Sequence, residues 1–140
     1  QNFVSTRPLA VNALFCIDPY TVETGCTWVV PFSHRNEYVP STEYIEQHKK
    51  PLLATPGSIV FFDSMLFHAA GYNASDIVRR AINNVYVTGI IRQQIDLPSA
   101  LGGKYADEPE VARLLGYDAH TPASVNDFRQ RRKDKLSPGN

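Results

Sequence analysis

Apolar residues occur in short runs along the first two thirds of the chain, and residues that favour turns separate the runs. Pro, Gly, Asp and Asn stand at the interruptions, which is typical of strands joined by turns. β-branched and aromatic residues are frequent within the runs, as they are in strands. The pattern predicts strands in the stretches AVNALFCID (10–18), CTWVVPF (26–32), GSIVFFD (57–63), MLFHAAG (65–71) and RRAINNVYVTGIIR (79–92).

Helical patterns are confined to one connection and to the C-terminal third. STEYIEQHKK opens with a candidate N-cap, Ser41 or Thr42, and ends in lysines suited to a helix C-terminus. EPEVARLLG and SVNDFRQRRKDK also have helical composition, with Pro122 near the start of the second. We therefore predict one short surface helix between strands and a helical tail.

About six short strands without intervening helices favour an antiparallel sandwich or barrel over a βαβ repeat. The predicted fold class is all-β with C-terminal helices. A jelly roll needs about eight strands, so we expect the fold to be truncated at its N-terminal side. We assign residues 1–92 to the β core and residues 93–140 to a C-terminal helical extension.

Composition and charge narrow the class of partner. The 140 residues are 43% hydrophobic, and 14 basic residues balance 14 acidic ones. A neutral chain has no overall charge to attract nucleic acid or an anionic membrane, so a small-molecule substrate is the better prediction. The chain has neither a bilayer-spanning run nor the pattern of a signal peptide, so we predict a cytoplasmic protein. Cys16 and Cys26 lie in apolar runs and are predicted to be buried free thiols.

Histidine is the residue type that carries candidate chemistry here. The sequence has no Ser-His-Asp order, phosphate loop or Cys-x-x-Cys pair. His48 and His120 lie in hydrophilic segments and are predicted to be solvated surface residues. His34 follows a strand, where it either borders a pocket or bonds the backbone at a turn.

His68 differs because it lies in an apolar run, where an imidazole needs a partner. From the residues alone it is either a histidine bonded to a backbone carbonyl or a metal ligand. Arg79 and Arg80 follow on the next predicted strand, and neighbouring side chains on a strand point to opposite faces. One arginine therefore points inward, towards a carboxylate of the protein or of an anionic ligand.

Two stretches, GCTWVVPFSHR and GSIVFFDSMLFHAAGYNASDIVRRAINNVYV, resemble the phytanoyl-CoA dioxygenase family of Fe(II) and 2-oxoglutarate dependent oxygenases. The resemblance spans roughly residues 3–88 and covers the C-terminal part of the family's double-stranded β-helix, a jelly roll of cupin-like form. It implies an oxidoreductase that hydroxylates a small molecule with Fe(II) and 2-oxoglutarate as cofactors.

The resemblance also implies roles for single residues. In the family, two histidines and one carboxylate hold the iron. His68 matches the distal histidine, and Arg79, eleven residues later, matches the arginine that binds the distal carboxylate of 2-oxoglutarate, with Arg80 as the alternative. Our candidates for lining the substrate pocket are Trp28, His34 and Tyr72.

Three departures from the family pattern are visible. The chain has no His-x-Asp or His-x-Glu motif, Phe32 stands where glycine is common, and Ala70 stands where members carry a hydroxyl. We therefore expect a fragment with an incomplete metal site, inactive by itself, whose other ligands precede Gln1.

Two other functions remain open. A non-catalytic β-sandwich for binding or assembly would use the same strands, and a cupin-type sugar-nucleotide isomerase could use histidine as a base. An incomplete sheet exposes strand edges, so a homo-oligomer is a further expectation.

Overall fold

The computed structural model describes residues 6–119 and 121–136, apart from the side chain of residue 135. The prediction for His120 therefore lies outside the described residues. The chain divides into two compact units, residues 1–88 and residues 89–140. Each unit is described by itself below.

Two small antiparallel sheets form the first unit within the described part of the chain. Their strands are β1 (Ala10–Cys16), β2 (Thr27–Val29), β3 (Lys50–Pro51), β4 (Ile59–Asp63), β5 (His68–Ala70) and β6 (Ala81–Val87). The strand orders are β4-β1-β6 in one sheet and β3-β2-β5 in the other. The short antiparallel strands agree with the prediction, and β1 and β2 are the central strands of their sheets.

One face of the first sheet carries the core. Side chains alternate along β1, and antiparallel register places Leu14 opposite Val60 of β4 and Cys16 opposite Ala81 of β6. These positions pack together with residues that follow β1 along the chain. The core cluster contains Leu14, Cys16, Tyr20, Cys26, Ala54, Val60, Phe62 and Ala81.

The connection between β2 and β3 contains the predicted surface helix. This helix, α1, spans Thr42–His48, and the Ser41 hydroxyl caps it by accepting a hydrogen bond from the Tyr44 N–H at 3.2 Å. The following strand β3 was not predicted, because Lys50 was assigned to the helix end and Pro51 to no element. β3 forms because Pro51 and Lys50 pair with Trp28 and Val29.

The second unit is helical in the described residues. It contains α2 (Leu97–Ala100), α3 (Pro109–Leu115), a 3-10 turn (Tyr117–Ala119) and α4 (Val125–Leu136). The predictions for α3 and α4 are confirmed, and Gly116 ends α3 in a left-handed conformation with φ 87°. α2 was not predicted. Among the described residues, no helix is long and apolar enough to cross a membrane.

Candidate functional site

His68 begins β5, which is an edge strand of its sheet. Its side chain is exposed, and Nδ1 lies 2.7 Å from the Leu66 carbonyl oxygen. Because a carbonyl only accepts, Nδ1 carries the proton and the lone pair of Nε2 stays available. The ring also packs edge-on against Phe62, with 5.1 Å between centroids. The imidazole is thus oriented as a histidine metal ligand would be, through a bond from its other nitrogen.

A buried serine fixes the backbone just before His68. Ser33 is 1% exposed, and its Oγ accepts a hydrogen bond from the Phe67 N–H at 2.8 Å. The Val30 N–H donates in turn to the Phe67 carbonyl at 2.9 Å. The turn after β2 therefore holds the start of β5 in place. Ser33 was not singled out in the sequence analysis, so this role was not predicted.

Phe32 stands where the resemblance led us to expect glycine, and its backbone conformation is one that favours glycine. Its backbone has φ 63° and ψ 1°, in the left-handed region that favours glycine. Phe32 is 69% exposed, and the Arg35 guanidinium lies 5.7 Å from its ring centroid. The turn keeps its shape although phenylalanine makes that shape unfavourable.

The two adjacent arginines face different partners. Arg80 donates from Nε to Oδ2 of Asp18 at 2.8 Å and from Nη2 to Oδ1 at 3.0 Å. Its backbone N–H also donates to Asp18 Oδ2, at 2.7 Å. Hydrogen bonds from Arg80 hold the pKa of the Asp18 carboxyl down at about 2. Arg80 is therefore already paired with a carboxylate of the protein.

Arg79 lies on the core side and is held by neutral groups. Its Nη1 donates to the Tyr20 hydroxyl, its Nη2 donates to the Gly25 carbonyl at 3.0 Å, and its Cζ lies 4.5 Å from the Tyr20 ring centroid. Its Nε is buried, and no described residue accepts a hydrogen bond from it. A partly buried cation with a free N–H can receive an anionic ligand.

The core around Arg79 contains the two thiols. Cys16 and Cys26 are both buried and free, which confirms that prediction. Burial raises the pKa of the Cys16 and Cys26 thiols and of the Tyr20 phenol, while the nearby Arg79 charge lowers each pKa to a smaller extent. All three groups therefore stay neutral near pH 7 and do not compensate the Arg79 charge.

The three residues predicted to line a pocket lie in different surroundings. Trp28 pairs with Ala69, whereas Val29 pairs with His68, so Trp28 lies on the opposite face of the sheet from His68. Tyr72 is 86% exposed in the loop after β5. His34 lies in a 3-10 turn, and its buried Nδ1 has no partner among the described residues. Pocket lining by these three residues stays a prediction.

A polar pair on the core side of β1 was missed at the sequence level. Asn12 is buried on the same face as Leu14, and its Oδ1 accepts a short hydrogen bond of 2.5 Å from the Ser64 hydroxyl. Asn12 lies opposite Phe62 of β4, which contacts His68. The apolar run around Asn12 gave no signal for this pair, because Ser64 is 52 residues away in sequence.

The described residues fit 2-oxoglutarate better than they fit iron, the two cofactors that the family resemblance implies. The free Nε–H of Arg79 fits a carboxylate such as that of 2-oxoglutarate. His68 fits iron as a single ligand, but the described part of the chain holds no group of three or more His, Cys, Asp or Glu side chains that could bind a metal. The described residues thus offer one candidate anchor for a carboxylate and one candidate metal ligand, without a group of side chains that could bind a metal by itself.

Comparison with known proteins identifies the family. The family model described as phytanoyl-CoA dioxygenase (PhyH) matches residues 1–81, which include His68 and Arg79. The chain belongs to the phytanoyl-CoA dioxygenase family. The resemblance drawn from the residues alone is confirmed.

Curated relatives of this phytanoyl-CoA dioxygenase family chain are longer than the chain itself. Uncharacterized proteins of Mycobacterium tuberculosis (Rv1501) and Mycobacterium bovis (Mb1539) are each 37% identical over 123 residues, covering 86% of the chain and 45% of the relative. The dioxygenase lolE1 of Epichloe uncinata is 29% identical over 87 residues, covering 56% of the chain and 34% of that protein. The chain thus spans under half the length of the curated relatives it matches.

Two solved structures are similar to the phytanoyl-CoA dioxygenase family chain. AviO1 from Streptomyces viridochromogenes matches with a TM-score of 0.57 and 25% identity, over 66% of this chain and 43% of AviO1. EctD from S. alaskensis, solved with 2-oxoglutarate and 5-hydroxyectoine, matches with a TM-score of 0.53 and 25% identity, over 61% of this chain and 33% of EctD. The two-sheet arrangement is therefore shared with larger proteins.

Proposed function

We propose that the chain carries part of the active site of an Fe(II) and 2-oxoglutarate dependent dioxygenase that hydroxylates a small molecule. The observation that carries the proposal is the inward Arg79, whose buried Nε has no partner among the described residues. Its neighbour Arg80 is paired with Asp18, which favours Arg79 over Arg80 as the anchor. Membership of the phytanoyl-CoA dioxygenase family supports the proposal.

Each residue has a defined task in this proposal. Arg79 binds the distal carboxylate of 2-oxoglutarate through its planar fork, and Tyr20 and Gly25 hold that fork in place. His68 presents the Nε2 lone pair to iron, and its bond to Leu66 fixes the ring. Bound iron and cosubstrate together supply the oxidising power that hydroxylates a C–H bond. The chain positions them and holds no complete metal site by itself in its described part.

The two sheets fit one part of a double-stranded β-helix. We propose residues 1–92 as the part of this barrel that the chain contributes and residues 93–140 as its helical extension. The remaining iron ligands would come from residues outside this sequence, so we expect the isolated chain to be inactive. The small-molecule substrate and the cytoplasmic location stay predictions.

The anchor is tested by binding of 2-oxoglutarate to the 140-residue chain. We expect the Arg79 Nε–H resonance to shift in an NMR titration, while the resonance of Arg80 stays unchanged. Arg79→Lys removes the fork and should weaken binding by about 5- to 150-fold, corresponding to about 1 to 3 kcal/mol. Calorimetric titration measures this affinity, because the variant lacks the Arg79 resonance.

The matched control is Arg80→Lys. The Arg80 side chain binds Asp18, so the control should leave the affinity for 2-oxoglutarate unchanged. An affinity that depends on Arg80 and not on Arg79 would contradict the assignment.

The metal site is tested by thermal unfolding with Mn(II) and 2-oxoglutarate. Binding to the folded state raises the melting temperature in proportion to the logarithm of ligand concentration over Kd. With one histidine in place, we expect only a small rise that His68→Ala abolishes. A rise of the size produced by a tight three-ligand site, or a rise unaffected by His68→Ala, would be incompatible with this arrangement.

A non-catalytic assembly domain is the second candidate. The observation that favours it is the set of exposed apolar side chains on the first sheet, such as Phe61 and Ile82. This candidate predicts that neither Arg79→Lys nor His68→Ala changes any property other than stability.

A further inference from the structure

We propose that Tyr20 is a positioning residue for Arg79, which orients the guanidinium towards a carboxylate ligand. This inference rests on the proposed function, because it assigns the support of the same cosubstrate anchor. The juxtaposition that carries it is a buried tyrosine whose hydroxyl accepts a hydrogen bond from Arg79 and whose ring centroid lies 4.5 Å from the guanidinium carbon. Tyr20 would act through Arg79 and not by touching the reacting atoms.

The contacts of Arg79 leave a defined set of donors free. An arginine has five N–H donors. The Tyr20 hydroxyl takes one from Nη1, and the Gly25 carbonyl takes one from Nη2. The Nε–H and one hydrogen on each terminal nitrogen are not used by these two bonds, and a bidentate carboxylate needs two such donors. Removing the Tyr20 hydroxyl would let the fork turn away from that orientation.

The charge on Arg79 also points to an anion. No described Asp or Glu forms an ion pair with Arg79, in contrast with Arg80. Tyr20 and Gly25 are neutral acceptors, so they orient the cation without neutralising it. A partly buried cation and an unpartnered buried N–H both carry a free-energy cost, which a bound carboxylate would remove.

Tyr20 has the rigidity that a positioning residue needs. It is 1% exposed, and its backbone pairs with Ala54 through two hydrogen bonds of 2.9 and 3.1 Å. A side chain fixed by packing and backbone bonds loses little freedom when it holds a second group. The neutral phenol is maintained by burial, which raises its pKa.

The second acceptor, Gly25, packs against the backbone that follows β5, the strand that begins with His68. Its φ is 75°, and a Cβ at Gly25 would come 2.9 Å from the Gly71 carbonyl oxygen. Gly71 follows β5 directly, and its N–H donates to the Cys26 carbonyl at 2.9 Å. The strand that begins with His68 and the acceptor of Arg79 are therefore in direct backbone contact.

The test is Tyr20→Phe in the 140-residue chain without metal. The variant keeps the ring under Arg79 and removes only the phenol oxygen. We expect the affinity for 2-oxoglutarate, measured by the shift of the Arg79 Nε–H resonance, to fall by about fivefold. Glutarate, which carries the same distal carboxylate without the keto group, should lose affinity by the same factor. The melting temperature should stay close to that of the unsubstituted protein.

The matched control is Tyr86→Phe, which makes the same substitution on β6. Tyr86 lies on the face of β6 opposite to the core side, which carries Asn83 and Val85. It should leave binding unchanged. If Tyr20→Phe binds 2-oxoglutarate like the unsubstituted chain while Arg79→Lys does not, the positioning role is overturned and the proposed function stands. If Arg79→Lys also binds normally, or the unsubstituted chain shows no shift, both are overturned.

A second measurement tests the positioning role even if Tyr20→Phe lowers the stability of the protein. In the ligand-free protein, rotation about the Nε–Cζ bond of Arg79 exchanges its two terminal nitrogens, and NMR line shapes give the rate. We expect faster rotation in Tyr20→Phe than in Tyr86→Phe at a temperature where both are folded. Equal rates in the two variants would overturn the positioning role.

Discussion

Arg79 and Arg80 are neighbours in sequence, but their charges are compensated differently. Arg80 lies 65% exposed at the surface and pairs with Asp18 through both carboxylate oxygens. Arg79 lies among neutral groups of the core. Adjacent residues can differ in this way because successive side chains point to opposite sides of an extended backbone.

The Asp18 carboxyl should titrate well below an ordinary aspartate. Its pKa is about 2 in the folded protein, because Arg80 donates hydrogen bonds to the charged form. The ion pair therefore contributes stability above about pH 4, and the contribution is lost as pH falls from about 4 to about 2. A carboxyl carbon NMR titration measures the midpoint.

Arg80→Gln is the corresponding variant for Asp18. Without the cation, the Asp18 pKa should return towards about 3.9, the value of an unperturbed aspartate. A midpoint that stays near 2 in Arg80→Gln would show that another group depresses it.

Phe32 should be destabilising because of its left-handed backbone. Glycine adopts this conformation without the steric cost that a Cβ brings, so Phe32→Gly should unfold at higher denaturant concentration than Phe32→Ala. We expect a difference of about 1 kcal/mol between the two variants. Both lack the ring, so its contact with Arg35 cancels in the comparison; equal stabilities would argue against strain.

Sequence could reveal only some residues of the candidate site. His68 and Arg79 lie in one continuous stretch that resembles the family, so local sequence was enough to single them out. The partners of Arg79 are 59 and 54 residues away, at Tyr20 and Gly25. No local pattern connects such positions, because the contact exists only after β1 and β6 have paired.

At the scale of elements, Gly25 and Gly71 allow the backbone before β2 to approach the backbone after β5. A Cβ on Gly71 would lie 2.5 Å from the Cys26 carbonyl oxygen, which is backbone and cannot move aside cheaply. The start of β2 and the end of β5 can approach only because this side chain is absent.

Gly71→Ala should therefore reduce the free energy of unfolding by about 1 to 3 kcal/mol, as overpacking does. Chemical denaturation measures the loss. Gly89→Ala is the control, since its Cβ would meet nothing within 4 Å. If both variants are equally stable, the backbone around Gly71 has room for a methyl group, and the prediction is wrong.

Element prediction succeeded where a segment signals its own structure. β1 and α1 were predicted from apolar patterning and from a capping serine. β3 was missed because its strand character comes from pairing with Trp28 and Val29 rather than from its own residues, Lys50 and Pro51. The last predicted strand was also too long. β6 ends at Val87, and the first compact unit of the chain ends one residue after it.

At the scale of the molecule, the first sheet exposes apolar side chains on the face opposite its core. Phe15 of β1 pairs with Ile59 and Ile82, and Phe61 nearby is 64% exposed. Contiguous exposed apolar surface favours association with another chain.

We expect sedimentation to show self-association of the isolated chain as concentration rises. Phe61→Lys should weaken this association, because it places a charge within the apolar face. Ile95→Lys, an exposed apolar position in the second unit, is the control and should change little. A chain that stays monomeric at all concentrations would contradict the predicted homo-oligomer.

The opposite orientations of the two arginines have a consequence for insertions and deletions. Gly71 is tied to Cys26 at one end of the loop before β6, and Arg80 is tied to Asp18 at the other. An insertion or deletion that shifted β6 by one residue against β1 would exchange the directions of the two cations, because direction alternates with each residue along a strand. The pairing that places Ala81 opposite Cys16 therefore decides which arginine faces the core.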